Sequence, residues 1–199
     1  EKAELKKNPK RVVVFDYGVA DILKNLGVDA VVGLPKNGKM PEILSNYSDD
    51  KYTNVGSLKE TDFEAVESLN PDLIIIGGRQ AEDIDSFKEI APTVNLAVDG
   101  QDYMNSFKTV VTDLGNLFDK QDEAKKAIDE IEAKIAKVNK TVTEKGLTAS
   151  VVMANEGSIS TFSAKSRYGL IYNGLGFTEA DKNIDDSTHG QQVSFEYFL

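Results

Sequence analysis

The 199-residue chain has no cysteine, no tryptophan, five prolines and a single histidine. Without cysteine there can be no disulfide, no thiolate metal site and no cysteine nucleophile. One histidine excludes an all-histidine metal cluster. Long hydrophobic runs are missing too. No stretch approaches the ~18–20 apolar residues that cross a bilayer. The opening Glu1-Lys2-Ala3-Glu4 carries no apolar core of a secretory leader, which leaves a cytosolic protein or one whose targeting segment was removed. Positive charge is in short supply: 23 Lys+Arg stand against 33 Asp+Glu, for a net charge of −10. That balance disfavours sequence-independent nucleic-acid binding, which needs cations at phosphates, but it permits a local basic pocket. What remains is an ordinary globular composition, 40% apolar. At about 200 residues it can bury a core without staples, as one large domain or two small ones.

The first half alternates strand and helix signals. Arg11–Asp16 is a β-branched run suited to a strand buried on both faces. Val19, Ile22, Leu23 and Leu26 then fall at helical spacing before Gly27. Ala30–Leu34 is a second strand, and Leu44 and Tyr47 fit a short helix. Thr61-Asp62-Phe63-Glu64 has the spacing of a capping box, with Thr61 as cap and Glu64 reaching back. Leu73–Ile76 is the strongest strand, followed by a helix over 81–90 and a strand over Thr93–Val98. Met104, Phe107, Val111, Leu114 and Phe118 mark a further helix. Alternation of this kind predicts a parallel sheet with βα crossovers.

Residues 119–146 read differently. Ile128, Ile131, Ile135, Val138 and Val142 form one stripe at steps of three and four, and Gly146 ends it. About 24 residues at ~1.5 Å each make a helix roughly 36 Å long, the width of a small domain. A new strand pattern starts directly after it: Ala149–Ala154 and Ile159–Phe162 flank the turn Asn155-Glu156-Gly157-Ser158, and a helix over Tyr168–Leu175 follows. The predicted architecture is α/β, with two Rossmann-like lobes joined by one long helix: an N-terminal lobe over 1–118, the helix over 119–146 and a C-terminal lobe over 147–199. Thr61–Val66 is echoed by Val193–Phe198. The first copy leads into the Leu73–Ile76 strand and the second into none, so the second lobe is expected to be truncated in this chain.

Three segments carry candidate chemistry. Gly77-Gly78-Arg79-Gln80 follows the best strand, at the sheet end where α/β folds gather ligands. Its glycines allow close approach of backbone, and Arg79 is a forked, permanently charged donor for anionic oxygens. Ser166-Arg167-Tyr168-Gly169 is predicted to open a helix, where Arg167 would add to the positive dipole end. Thr188-His189-Gly190-Gln191 holds the lone imidazole, able to ligate iron, donate to an anion or act in acid–base chemistry. No Gly-x-Ser-x-Gly elbow and no phosphate-binding Gly-x-x-x-x-Gly-Lys-Ser/Thr loop occurs. Asp49-Asp50, Asp122-Glu123 and Asp185-Asp186 lack the alternating oxygens of a calcium loop.

Taken in order, the sequence resembles the iron-siderophore substrate-binding proteins of ABC importers. The resemblance runs from about Pro9 to Leu199. It is carried by Asn8–Val14, Val55-Gly56-Ser57-Leu58-Lys59-Glu60 and Asn70-Pro71-Asp72-Leu73-Ile74-Ile75-Ile76. Gly78-Arg79-Gln80, Lys165-Ser166-Arg167-Tyr168-Gly169 and Ser187-Thr188-His189-Gly190-Gln191 are more specific. They are similar to the subgroup that binds catecholate-type ferric siderophores. The resemblance implies a non-enzymatic binding protein with no intrinsic cofactor, taking a ferric siderophore as ligand. It implies that Arg79 and Arg167 surround the anionic complex and that His189 can complete the iron shell together with the siderophore. Tyr17 and Tyr168 are candidates to pack on catechol rings. It further implies docking to a membrane permease through a glutamate on each lobe, Glu64 and Glu196, with Glu60 as substitute for Glu64. An extracytoplasmic location follows, periplasmic or anchored through a lipid on an upstream cysteine. Haem, cobalamin or a hydroxamate siderophore are the alternative cargoes of such a fold. An α/β hydrolase is a weaker reading, since His189 is its only imidazole.

Overall fold

The computed structural model describes residues 5–187 and 189–198. They form two compact units. The first contains the chain up to Ala97 together with Val110–Lys125, and the second contains Val98–Thr109 together with the chain from Lys126 onward.

The first unit is built on β1 (Val12–Val14), β2 (Val31–Leu34), β3 (Thr53–Asn54), β4 (Leu73–Ile76) and β5 (Thr93–Asn95). They form one sheet in the order β3-β2-β1-β4-β5, and every pairing is parallel. The expected crossover helices are present as α1 (Tyr17–Asn25), α2 (Phe63–Ser68) and α3 (Ile84–Ile90). β3 went unpredicted because two residues of an edge strand carry no periodicity. The register Val12↔Leu73, Val13↔Ile74, Val14↔Ile75 places Val13, Ile74 and Ile76 on one face with Phe15. There they pack with Val55, Val66, Phe87 and Ala91. Every residue of β1 and β4 is essentially inaccessible, as expected of central parallel strands covered on both faces. Leu44 and Tyr47 are buried on a 3₁₀ segment, Glu42–Ser48, in place of an α-helical turn.

The cap of α2 differs from the sequence reading. Asp62, not Thr61, is the N-cap, and its Oδ1 accepts from the Ala65 N–H at 3.0 Å. Thr61 is held in extended pairing opposite Gly56, and the Asp62 N–H donates to the Val55 carbonyl. This fixes Thr61 one residue too early to cap, and leaves Glu64 exposed. Asp62→Ala is expected to cost about 1 kcal/mol, read as a lower urea midpoint at unchanged slope.

The second unit carries α4 (Tyr103–Leu117) and α5 (Gln121–Glu144) in part. Each helix passes from one unit to the other within its length, α4 at Thr109–Val110 and α5 at Lys125–Lys126. Residues 98–109 thus group with the second unit, although the sequence boundary assigned them to the N-terminal lobe. Of the α5 stripe only Val142 is buried; Ile128, Ile131 and Ile135 are half-buried and Val138 is exposed, while Ala124, before the stripe, is also buried.

Beyond α5 come β6 (Thr148–Ala149), β7 (Val151–Asn155), β8 (Ser158–Phe162), β9 (Thr178–Glu179) and β10 (Gln191–Val193). The β7–β8 hairpin is antiparallel, as the turn residues predict. Glu156 and Gly157 both take positive φ, the requirement of its two-residue turn. β10 pairs antiparallel with β8, and β6 pairs parallel with β9. β9 and β10 gave no sequence signal. The echo segment Phe195–Phe198 is a 3₁₀ turn, not a helix like α2.

Candidate functional site

Parallel pairing brings the carboxyl ends of β1, β2, β3 and β4 to one end of the first unit's sheet. Asp16 and Tyr17 leave β1, Pro35 leaves β2, and Gly77–Gln80 leave β4. Asp16 caps α1, its Oδ1 accepting from the Val19 N–H at 3.0 Å. The Tyr17 hydroxyl donates to the Pro35 carbonyl at 3.0 Å, which pins its half-buried ring between two strand exits. Burial pushes its phenol pKa up. Gly78–Asp83 is a 3₁₀ segment. Within it Gln80 is buried and donates Nε2 to the Leu58 carbonyl at 2.8 Å. The anchored Gln80 fixes the turn, while Arg79 beside it is exposed. Among the described residues Arg79 makes no ion pair.

In the second unit the Ser166–Gly169 segment does not open a regular helix. It forms a turn before a five-residue π-helical segment, Leu170–Gly174. One turn of helix sums too few peptide dipoles for the anion effect expected at Arg167. Packing replaces it. The Arg167 guanidinium carbon lies 5.1 Å from the Tyr168 ring centre and 5.6 Å from that of Phe162. The two rings meet edge to face at 4.7 Å. Stacking on aromatic rings orders the guanidinium and leaves its in-plane N–H groups free for an anion. The turn is anchored by buried Ser166, whose Oγ donates to the Ser163 carbonyl at 2.7 Å and accepts from the Tyr168 N–H. Gly100 backs directly onto Arg167: a Cβ there would stand 3.0 Å from the arginine Cβ.

Arg167 borders a concavity of about 260 Å³, shared with Asp99, Gln101, Lys165, Asp186 and Ser187. Lys165 Nζ lies 3.0 Å from Asp186 Oδ2, and Ser163 Oγ donates to Asp186 Oδ1 at 2.8 Å. These bonds, Ser163 first, hold the Asp186 carboxyl below its usual range. Lys165 is thereby neutralised, and Arg167 is the unpaired cation of this concavity among the described residues. His189 is exposed, and its backbone N–H donates to Ser187 Oγ at 3.3 Å. The imidazole is not among the groups lining the concavity, and the neighbouring Thr188 of the sequence motif lies outside the described residues. No group of three or more His, Asp or Glu is arranged to hold a metal ion among the described residues. Phe162, Lys165, Asp186 and the Asp99–Gln101 loop were missed in sequence. Phe162 stood at the end of a strand pattern and Lys165 inside the Lys165–Gly169 motif, Asp186 was weighed only as a calcium ligand, and the Asp99–Gln101 loop carried no signal. A larger concavity of about 920 Å³ in the first unit, beside β5 and α4, contains none of the predicted binding residues.

The first unit is a parallel α/β fold with an exposed arginine at its strand ends, and the second presents an arginine packed on aromatic rings. The chain belongs to the periplasmic binding protein family, which it matches over residues 12–199. It is 52% identical over 192 residues to the petrobactin-binding protein YclQ of Bacillus subtilis, covering 96% of this chain and 60% of the relative. The crystal structure of YclQ superposes with a TM-score of 0.93, covering 97% of this chain and 68% of that one. The ferric-anguibactin-binding protein FatB of Vibrio anguillarum is 33% identical, with 95% and 60% covered. The catecholate-siderophore binding protein VctP of Vibrio cholerae superposes with a TM-score of 0.90 at 33% identity, with 98% and 70% covered. The chain spans about 60% of the length of these curated relatives.

Proposed function

We propose that this protein is an extracytoplasmic binding protein that captures an anionic, catecholate-type ferric siderophore and delivers it to an ABC permease. The observation that carries the reading is the exposed, unpaired Arg167 guanidinium stacked on Phe162 and Tyr168. Such a shelf suits a ligand that is both anionic and aromatic. The cation meets the charge of the chelate, and the half-buried Tyr168 ring offers apolar area to the catechols, with fully buried Phe162 supporting it from below. Arg79 presents an exposed, permanently charged guanidinium at the strand ends of the first unit, a group suited to the same anionic class of ligand. Tyr17, with its hydroxyl already committed to Pro35, contributes ring surface only. His189 serves as an iron ligand together with the siderophore. The 52% identity to a petrobactin-binding protein supports the same class of cargo. A fluorescence-quenching titration of the full-length protein tests it, using ferric catecholate, ferric hydroxamate, haem and cobalamin in parallel. Preference for the catecholate supports the reading, and preference for haem or cobalamin overturns it.

Glu60, Glu64 and Glu196 are all exposed, and in the proposed role Glu64 and Glu196 dock the two units on permease arginines. Because Asp62 performs the capping, Glu64 is free for that role. Glu64→Arg and Glu196→Arg are expected to abolish siderophore-dependent uptake by cells while leaving ligand affinity within twofold of the parent. Loss of affinity in these variants would refute the assignment. In the proposed role an upstream lipid anchor would hold the protein at the membrane. No helix among the described residues is long and apolar enough to cross it.

A further inference from the structure

The chain contains two Asn-Gly pairs, Asn37-Gly38 and Asn173-Gly174, and the structure treats them in opposite ways. Asn37 and Gly38 are exposed in the loop that leaves β2. Gly38 has φ +119 and no atom within 4 Å of where a Cβ would stand, so nothing crowds its nitrogen from that side. The Asn37 side chain is oriented by Asn54. Asn54 Oδ1 accepts from the N–H groups of Lys36 and Gly56 at 2.9 and 3.1 Å, which turns its Nδ2 toward Asn37 Oδ1, a 2.8 Å bond. Donation to that oxygen draws electrons from the Asn37 Cγ carbonyl and makes the carbon a better electrophile. The opposite case is Asn173. Its Nδ2 donates to the Ala164 carbonyl at 2.9 Å, it lies inside the Leu170–Gly174 segment, and the Gly174 carbonyl accepts from Asn139 Nδ2 at 3.0 Å. Ring closure there requires breaking these bonds.

We propose that Asn37 is a self-modification site, at which the protein deamidates in preference to Asn173. The Gly38 nitrogen attacks Asn37 Cγ and a C–N bond forms. The Cγ–Nδ2 bond breaks, and ammonia departs with the proton lost from the Gly38 nitrogen. Water then opens the five-membered imide at either carbonyl to give aspartate or isoaspartate. No oxidant or cofactor enters the balance. The product carries a new negative charge, and its position matters. Asn37 bridges to Ser57, and the adjacent Leu58 accepts from Gln80, the neighbour of Arg79. The new carboxylate therefore stands at the sheet end that presents Arg79, where it opposes capture of an anion. This consequence rests on the function proposed above; the modification does not.

The test is peptide mass mapping of the purified protein after incubation at mildly alkaline pH. Asn37 is expected to convert several-fold faster than Asn173 into a mixture of aspartate and isoaspartate, and Asn37→Gln is expected to remove that signal. An unmodified Asn37, or equal rates at the two sites, overturns the proposal. Asn37→Asp, titrated with a ferric catecholate, is expected to bind several-fold more weakly, with the difference shrinking at high salt. Unchanged affinity in Asn37→Asp overturns the charge consequence. If Arg79→Ala in the same series also binds unchanged, the failure lies with the proposed binding role and not with the modification chemistry.

Discussion

Arg167→Ala is expected to weaken binding of a ferric catecholate about ten- to a hundredfold, the worth of one to two charge-assisted hydrogen bonds in a site that becomes desolvated on binding. Arg167→Lys is expected to recover only part of this loss. A lysine restores the charge but neither the planar fork nor the stacking on Phe162 and Tyr168. Arg79→Ala is expected to act in the same direction with a smaller effect, since its side chain packs on no aromatic ring among the described residues and must be ordered by the ligand itself. The remaining affinity of each variant should fall less steeply with added salt than that of the parent, because one screened attraction has been removed. Titration by fluorescence quenching at two ionic strengths checks all of these. Unchanged affinity in both alanine variants would remove the proposed site.

Phe87→Ala is expected to give the largest loss of stability, about 3–5 kcal/mol. Its ring is fully buried and lies 5.1 Å from Phe15 and 5.0 Å from Phe63, so the variant loses transfer energy, two aromatic contacts and the packing of the cavity lining. Against a typical net stability of about 5–15 kcal/mol this is a large fraction. The measurement is a urea or guanidinium melt, with the loss appearing as a lower midpoint. Phe15 immediately precedes Asp16 and Tyr17, so the same substitution loosens the strand end from which those residues project. A midpoint unchanged from the parent would mean that α3 packs on the sheet independently of this ring cluster.

The first unit was largely legible before any coordinates. β1 and β4 are continuous apolar runs, and such runs fit only strands covered on both faces. Once they are parallel, Arg79 must emerge at the same sheet end as Tyr17. The cap of α2 was misplaced by one residue because threonine and aspartate both serve as caps. Only the Gly56–Thr61 pairing, between residues brought together by a turn, decides between them. The second unit was less legible. β9 and β10 are two and three residues long, too short for a period to show.

The order of patterns along the chain determined by itself the α/β class and the parallel sheet, because periodicity and β-branched content act over neighbouring residues; it singled out Arg79 and Arg167 only as candidates. Tertiary structure alone decided what surrounds these two candidate arginines. Gln80 reaches back 22 residues to Leu58 to fix the Arg79 turn, the Asp99–Gln101 loop meets Arg167 from far away in sequence, and Asp186 neutralises Lys165 across 21 residues. Charge pairing and close packing depend on distance in space, and only the fold sets that distance.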